Sequence, residues 1–159
     1  MAIRDDILAK AEEYRDYTAR NLSEIVKIKS YSGDEEQVCR KIVELCEDAG
    51  FDEVRIDALG SVIGRVGDGP KLLAFDAHID TVEVGDPEQW SFDPFSGEIQ
   101  DGKVYGRGAS DQKGGVASSI YAAPLLKLAG LPDGVSVYVV ASVQEEDCDG
   151  LCWQYIVNE

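Results

Sequence analysis

The sequence predicts an α/β fold in three layers, with a mostly parallel sheet flanked by helices. Three observations lead there. Segments at the front and middle repeat apolar residues at helical spacing, two runs are almost continuously apolar, and turns bearing Gly or Pro separate the two kinds. Runs of the second kind read as strands covered on both faces. At 159 residues the chain fits one domain, which buries roughly two thirds of the surface its unfolded form exposes.

The elements follow in order. Residues 3–29 carry Ile7, Leu8, Ala11, Tyr14, Tyr17, Leu22, Ile25 and Val26 on one stripe, so one long amphipathic helix is predicted. Ser32 and Glu35 have the S-x-x-E spacing of a capping box. A second helix follows, with Val38, Ile42, Val43 and Cys46 inward and Gly50 at its left-handed C-cap. DEVRID and SVIGRVG, joined through Leu59 and Gly60, read as a hairpin or neighbouring strands, and KLLAFDA follows the turn residues of GDGP. Asp101 and Gly102, between GEIQ and KVYG, signal a second hairpin. Residues 112–129 have a helical pattern despite Pro124, which costs about 3 kcal/mol in a helix interior unless it marks a kink or a late start. VSVYVVASV, residues 135–143, reads as a strand buried on both faces. LCWQYIVN keeps helical spacing up to Glu159 without a stop signal, so the chain is expected to be the front part of a longer protein.

Charge narrows the partners. Thirty-one acidic residues against fifteen basic ones leave a formal charge of −16. Nucleic acid and anionic membranes are repelled by such a chain, so cations are the expected guests. MAIRDDILAK is charged where a secretory signal needs an apolar stretch, and no run approaches the ~18 apolar residues of a membrane span, which predicts a cytoplasmic protein. Cys39 and Cys46, seven residues apart in a helical pattern, lie about 10 Å apart along the axis, beyond the ~7 Å limit of a disulfide. Cys148 and Cys152 have no neighbouring His or Cys to complete a tetrahedral site. All four are expected to be free, buried thiols.

The chemistry gathers at strand ends. LLAFDA runs into His78 and Asp80, and VYVVASV runs into Gln144, Glu145 and Glu146. A third cluster, GRGASDQKGG, puts Asp111 near a helix N-terminus. Sheets of this class hold ligands beyond the carboxyl ends of their strands, so the three clusters are expected to share one crevice. Taken alone, His78 reads as a satisfied histidine, the paired glutamates as a solvated strand end, and Arg107 as a surface or loop-bracing ion pair. GRGASD is G-x-G-x-x-D, and an aspartate at that position would repel phosphate. Together the clusters favour a cation, and a histidine among carboxylates suits zinc, manganese or cobalt better than calcium.

HIDTV, then WSFDPF at 90–95, then DGKVYGRGASDQKGG at 101–115, then QEE at 144–146 resemble, in order and spacing, the signatures of the two-metal aminoacylase, carboxypeptidase G and succinyl-diaminopimelate desuccinylase family. QEEDCDGLCW at 144–153 is similar to a narrower branch, hydrolases linked to selenium metabolism. Gln112 and the run Asp147-Cys148-Asp149 depart from the family's usual residues without removing a ligand. The resemblance implies a zinc-exopeptidase-like catalytic domain and two divalent ions, with His78 on one, Glu146 on the other and Asp111 bridging. It makes Glu145 the general base and Asp80 the group that holds the His78 imidazole. The implied reaction is hydrolysis of a small-molecule amide, of the peptide or N-acyl amino acid type, by metal-activated water. Residues 1–159 would form the N-terminal part of the catalytic domain, without the lid domain and the C-terminal part that bring a further carboxylate and a second histidine. Such a fragment is expected to be inactive alone, and the full-length protein to be a possible homo-oligomer. The alternative is a non-catalytic metal- or partner-binding domain of the same fold.

Overall fold

The computed structural model describes residues 3–148 and 150–158; Met1, Ala2, Asp149 and Glu159 lie outside the described residues. Helix α1 spans Ile3–Lys27, with Asp5 and Asp6 in its first turn and Lys27 in its last, both favourable to the helix dipole. Its second half reaches the core, where Ile25 and Val26 are fully buried, whereas Leu8 on the expected inward stripe is exposed. Helix α2 spans Glu36–Asp48 and buries Val38, Cys39, Ile42, Leu45 and Cys46. Gly50 follows it at φ +80°, as the C-cap reading requires. The capping box does not form: α2 has no side-chain cap bond, because Ser32 and Glu35 are turned toward other partners.

Strands β1 (Glu53–Ile56) and β2 (Val62–Val66) form an antiparallel hairpin, the first of the two arrangements their sequences allow. Asp57 shapes its turn, its Oδ1 accepting the N–H groups of Leu59, Gly60 and Ser61. After β3 (Lys71–His78) the chain makes the short hairpin β4 (Ile99–Gln100) and β5 (Lys103–Val104), with positive φ at both Asp101 and Gly102. Helix α3 (Lys113–Ala129) runs through Pro124 without ending, so its favourable packing outweighs that residue's missing N–H. β6 (Val135–Ser142) and the short helices α4 (Glu145–Cys148) and α5 (Leu151–Ile156) complete the chain.

The sheet order is β1-β2-β6-β3. Of the three pairings only β3 with β6 is parallel, so the sheet is mixed rather than mostly parallel. The hairpin turn after β1 dictates one antiparallel pair, and β2 then docks antiparallel on β6. Buried strand β6 sits inside the sheet as expected. β3 is an edge strand, with Leu72, Leu73 and Phe75 exposed by 69%, 49% and 48%, which corrects the reading of KLLAFDA as doubly covered. One face carries Val62, Val66, Ala77, Val139 and Ala141 into a core shared with α2 and α3. α1 packs outside α3, its Tyr17 meeting Tyr121 edge-on at 4.9 Å. Asp76 points to the opposite face, where the indole N–H of Trp153 in α5 donates to its carboxylate at 2.8 Å. Helices thus flank both faces. No helix among the described residues is long and apolar enough to cross a membrane.

Burial pushes the Cys39 and Cys46 thiols up to about 12, helped by the neighbouring charges of Glu35 and Glu47. They therefore stay protonated across the neutral range. Iodoacetamide at pH 8 is expected to alkylate both at least about a hundredfold more slowly in the folded chain than in urea, because the thiolate is the nucleophile. Peptide mass spectrometry over time checks this, and equal rates in both conditions would contradict the packing described.

Candidate metal centre

The parallel pair β3 and β6 is in register with His78 opposite Ser142, so the two strands end at the same rim of the sheet. There β3 continues into Ile79, Asp80 and Thr81, and β6 into the segment that carries Glu145 and Glu146. Ser30 fixes the first of these ends: its hydroxyl donates to the Ile79 carbonyl at 2.7 Å and its own carbonyl accepts the Thr81 N–H at 2.9 Å. The loop before α3 delivers the third cluster. Gly108 stands at φ +79°, and a Cβ there would come within 2.6 Å of the Thr81 methyl, so only glycine fits. The Asp111–Gln112 peptide in this loop is cis.

His78 is 4% exposed and its two nitrogens face different ways. Nε2 lies 2.9 Å from Asp111 Oδ1 and 3.6 Å from Glu145 Oε2. Nδ1 lies 3.1 Å from the Asp80 carbonyl and 3.4 Å from Asp80 Oδ1. His78, Asp111 and Glu146 each offer one ligand atom, all within 4.8 Å of one another. Asp80 sits behind the imidazole, fully buried. The bond with Asp80 raises the His78 pKa to about 9 in spite of burial, and the bond with Asp111 adds to the effect. Burial works to raise the Asp80 pKa as well, but the donors around it, His78, Ser32 and the amides of Glu146 and Glu145, outweigh burial and hold it below the usual carboxylate range.

The donor set fits a divalent ion. Imidazole Nε2 and two carboxylates from three separate segments face one point, and Asp111 and Glu145 remain open to solvent with side chains 76% and 51% exposed. The rim thus gathers donors of the kind a divalent cation takes, with the Glu145 carboxylate beside them.

Some residues have roles that the sequence reading did not give them. Lys113 is fully buried, and its Nζ donates to the carbonyls of Ile25 at 3.0 Å and Ile28 at 2.8 Å, at the end of α1. Burial lowers its pKa to about 8. A basic residue at the start of a helix opposes the helix dipole, and that conflict was the available signal. Arg107 braces its loop with no ion pair among the described residues: Nη2 donates to the Glu83 carbonyl at 3.3 Å and the guanidinium lies 5.0 Å over the Trp90 ring. The four thiols are free, with Cys148 only half-buried.

Residues 74–158 match the sequence profile of Peptidase family M20/M25/M40. The chain is 50% identical over 153 residues to "Uncharacterized protein YgeY" of Escherichia coli (strain K12), covering 96% of this chain and 38% of that protein. It is 32% identical over 130 residues to a "Probable succinyl-diaminopimelate desuccinylase" of Staphylococcus epidermidis (strain ATCC 35984), covering 80% of this chain and 32% of the relative. Among solved structures it resembles human carnosine dipeptidase 1, with a TM-score of 0.77 at 21% identity, over 92% of this chain and 36% of that one. The chain therefore spans about a third of the length of these relatives.

Folded His78 keeps its proton to about pH 9, whereas an unfolded histidine loses it near 6.5. The protonated ring thus stabilises the metal-free fold fully below about pH 6.5, and that contribution is lost as pH rises through about 9. Lys113 acts in the opposite direction at higher pH, so the comparison needed is with His78→Gln. Between pH 6 and pH 9.5, urea unfolding should show the wild type losing roughly 2 to 3 kcal/mol more than the variant. Equal losses would contradict the assigned contacts.

Proposed function

This chain belongs to Peptidase family M20/M25/M40, and from that membership we propose that it is the N-terminal part of the catalytic domain of a metal-dependent hydrolase. The bond cleaved is an amide of the peptide or N-acyl amino acid type. The observation that carries this reading is the convergence of His78, Asp111 and Glu146 on one point. A relative named for succinyl-diaminopimelate and a neighbour named for carnosine support an amide substrate.

In this reading Asp111 would hold both of two divalent ions, with His78 serving one position and Glu146 the other. Zinc suits the mixed nitrogen and oxygen donors, with manganese or cobalt as substitutes. Bound there, the ions would lower the pKa of water and polarise the amide carbonyl. Glu145 accepts the proton of the attacking water and returns it to the departing amine. Asp80 touches neither water nor substrate; it holds Nδ1 of His78, which leaves Nε2 to face the ions. The similarity of residues 144–153 to the selenium-linked hydrolases belongs to the same proposal and names no substrate.

Each ion position draws two ligands from this chain, one of them shared, whereas catalytic zinc usually has three protein ligands. The 159-residue chain by itself is therefore expected to bind zinc at micromolar or weaker affinity, and to hydrolyse neither N-acyl amino acids nor dipeptides measurably. Calorimetric titration and an amine-release assay test this together; two tightly held zinc ions with steady turnover would contradict it.

In the full-length protein the two adjacent glutamates should fail differently. Glu145→Gln is expected to lower turnover by about 10² to 10⁴ with metal content near normal, and Glu146→Gln to lose metal from one position. Metal analysis beside steady-state kinetics tests the assignment, and the reverse pattern would exchange the two roles. A full-length protein that binds metal and cleaves no amide would favour a non-catalytic binding domain.

A further inference from the structure

Ser32 and Glu35 have the spacing of a capping box and yet cap nothing at the start of α2. Both side chains reach beneath residues 144–146 instead. Glu35, 6% exposed, accepts the Gln144 N–H through Oε1 at 3.1 Å. The Ser32 hydroxyl donates to Asp80 Oδ2 at 2.7 Å. Asp80 in turn accepts the N–H of Glu145 through Oδ1 at 3.0 Å and that of Glu146 through Oδ2 at 3.1 Å. Three consecutive amides therefore point at two buried carboxylates.

A backbone held by its amides from below sends its side chains elsewhere. Glu145 brings Oε2 to 3.6 Å from His78 Nε2, and Glu146 joins the ligand set. This turn is not one the chain adopts freely, since Gln144 stands at φ +56°, a region that residues other than glycine seldom occupy. Something must hold it, and the inward bonds of Glu35 and Asp80 do so. Ser32 shares the Asp80 oxygen that takes the Glu146 amide, so its loss would free that carboxylate to turn, disturbing the Glu146 amide and the Nδ1 side of His78 together.

We propose that Ser32 and Glu35 are positioning residues of the metal centre. With Asp80 they clamp the amides of 144–146, and so set where the carboxylates of Glu145 and Glu146 stand relative to His78. The inference rests on the reading that His78, Asp111 and Glu146 hold metal. Neither positioning residue touches metal or substrate; both act through the turn.

The test uses the 159-residue chain with Ser32→Ala, Ser32→Thr, Glu35→Ala and Glu35→Gln, read by amide hydrogen exchange without metal and by zinc titration. Ser32→Ala should lower protection of the Glu145 and Glu146 amides by about tenfold or more, and Glu35→Ala should do the same for Gln144, with the β6 amides unchanged. Zinc affinity should fall by about 10- to 100-fold in both. Ser32→Thr keeps the donor and Glu35→Gln keeps an acceptor, so both should retain protection and affinity. A merely structural role would leave zinc affinity unchanged while lowering thermal stability, which would overturn the proposal, as would unchanged protection at 144–146. Should Glu35→Ala unfold, as loss of the β6 protection would reveal, Glu35→Gln and the two Ser32 variants decide. If the wild type takes up no zinc while Ser32→Ala loosens residues 144–146, the clamp is supported and the metal reading falls.

Discussion

Asp80 carries its carboxylate into a position with no solvent exposure, where an unpaired charge would cost several kcal/mol. Donors from three parts of the chain meet it: the Ser32 hydroxyl, the amides of Glu145 and Glu146, and Nδ1 of His78. Because these donors come from three segments, satisfying the carboxylate draws the end of β3, the stretch before α2 and the turn after β6 to one place. Removing any donor leaves part of a buried charge unmet, so the arrangement resists small distortions.

The scaffold makes this meeting possible. Parallel pairing of β3 with β6 ends both strands at one rim, and the register puts His78 beside Ser142, three residues before Glu145. On the other side of the crevice Lys113 ties the start of α3 to the carbonyls that close α1, and so steadies the loop carrying Asp111. The acidic balance of the chain acts in the same direction. A rim of carboxylates on a chain of formal charge −16 attracts cations and repels anions.

Much of this was legible in the sequence, and the failures have physical reasons. Periodicity located α1, α2, α3 and β6 because each buries a stripe or both faces, and turn chemistry located both hairpins. His78, Asp80, Glu145 and Glu146 stand out because polar clusters end apolar runs, and Asp111 because its cluster lies between a hairpin and a helix. Strand direction was not legible: an apolar run such as KLLAFDA looks alike in a covered strand and at an edge, and only tertiary pairing makes β3 an edge. Ser32 and Glu35 satisfy the local spacing of a capping box, whereas Asp80 and Gln144, far along the chain, claim them. A local spacing rule cannot weigh a buried charge more than forty residues away. For Lys113 the sequence offers only its conflict with the helix dipole; its partners are backbone carbonyls, which leave no mark there.

The central claim is that this rim holds a divalent ion through imidazole and carboxylate donors. X-ray absorption at the zinc edge on the zinc-loaded chain tests it most directly. The expected spectrum shows nitrogen and oxygen neighbours at about 2.0 to 2.2 Å, with the outer-shell scattering of one imidazole, lost in His78→Gln. A sulfur shell at about 2.3 Å would place the ion on Cys148 and Cys152 instead and contradict the claim.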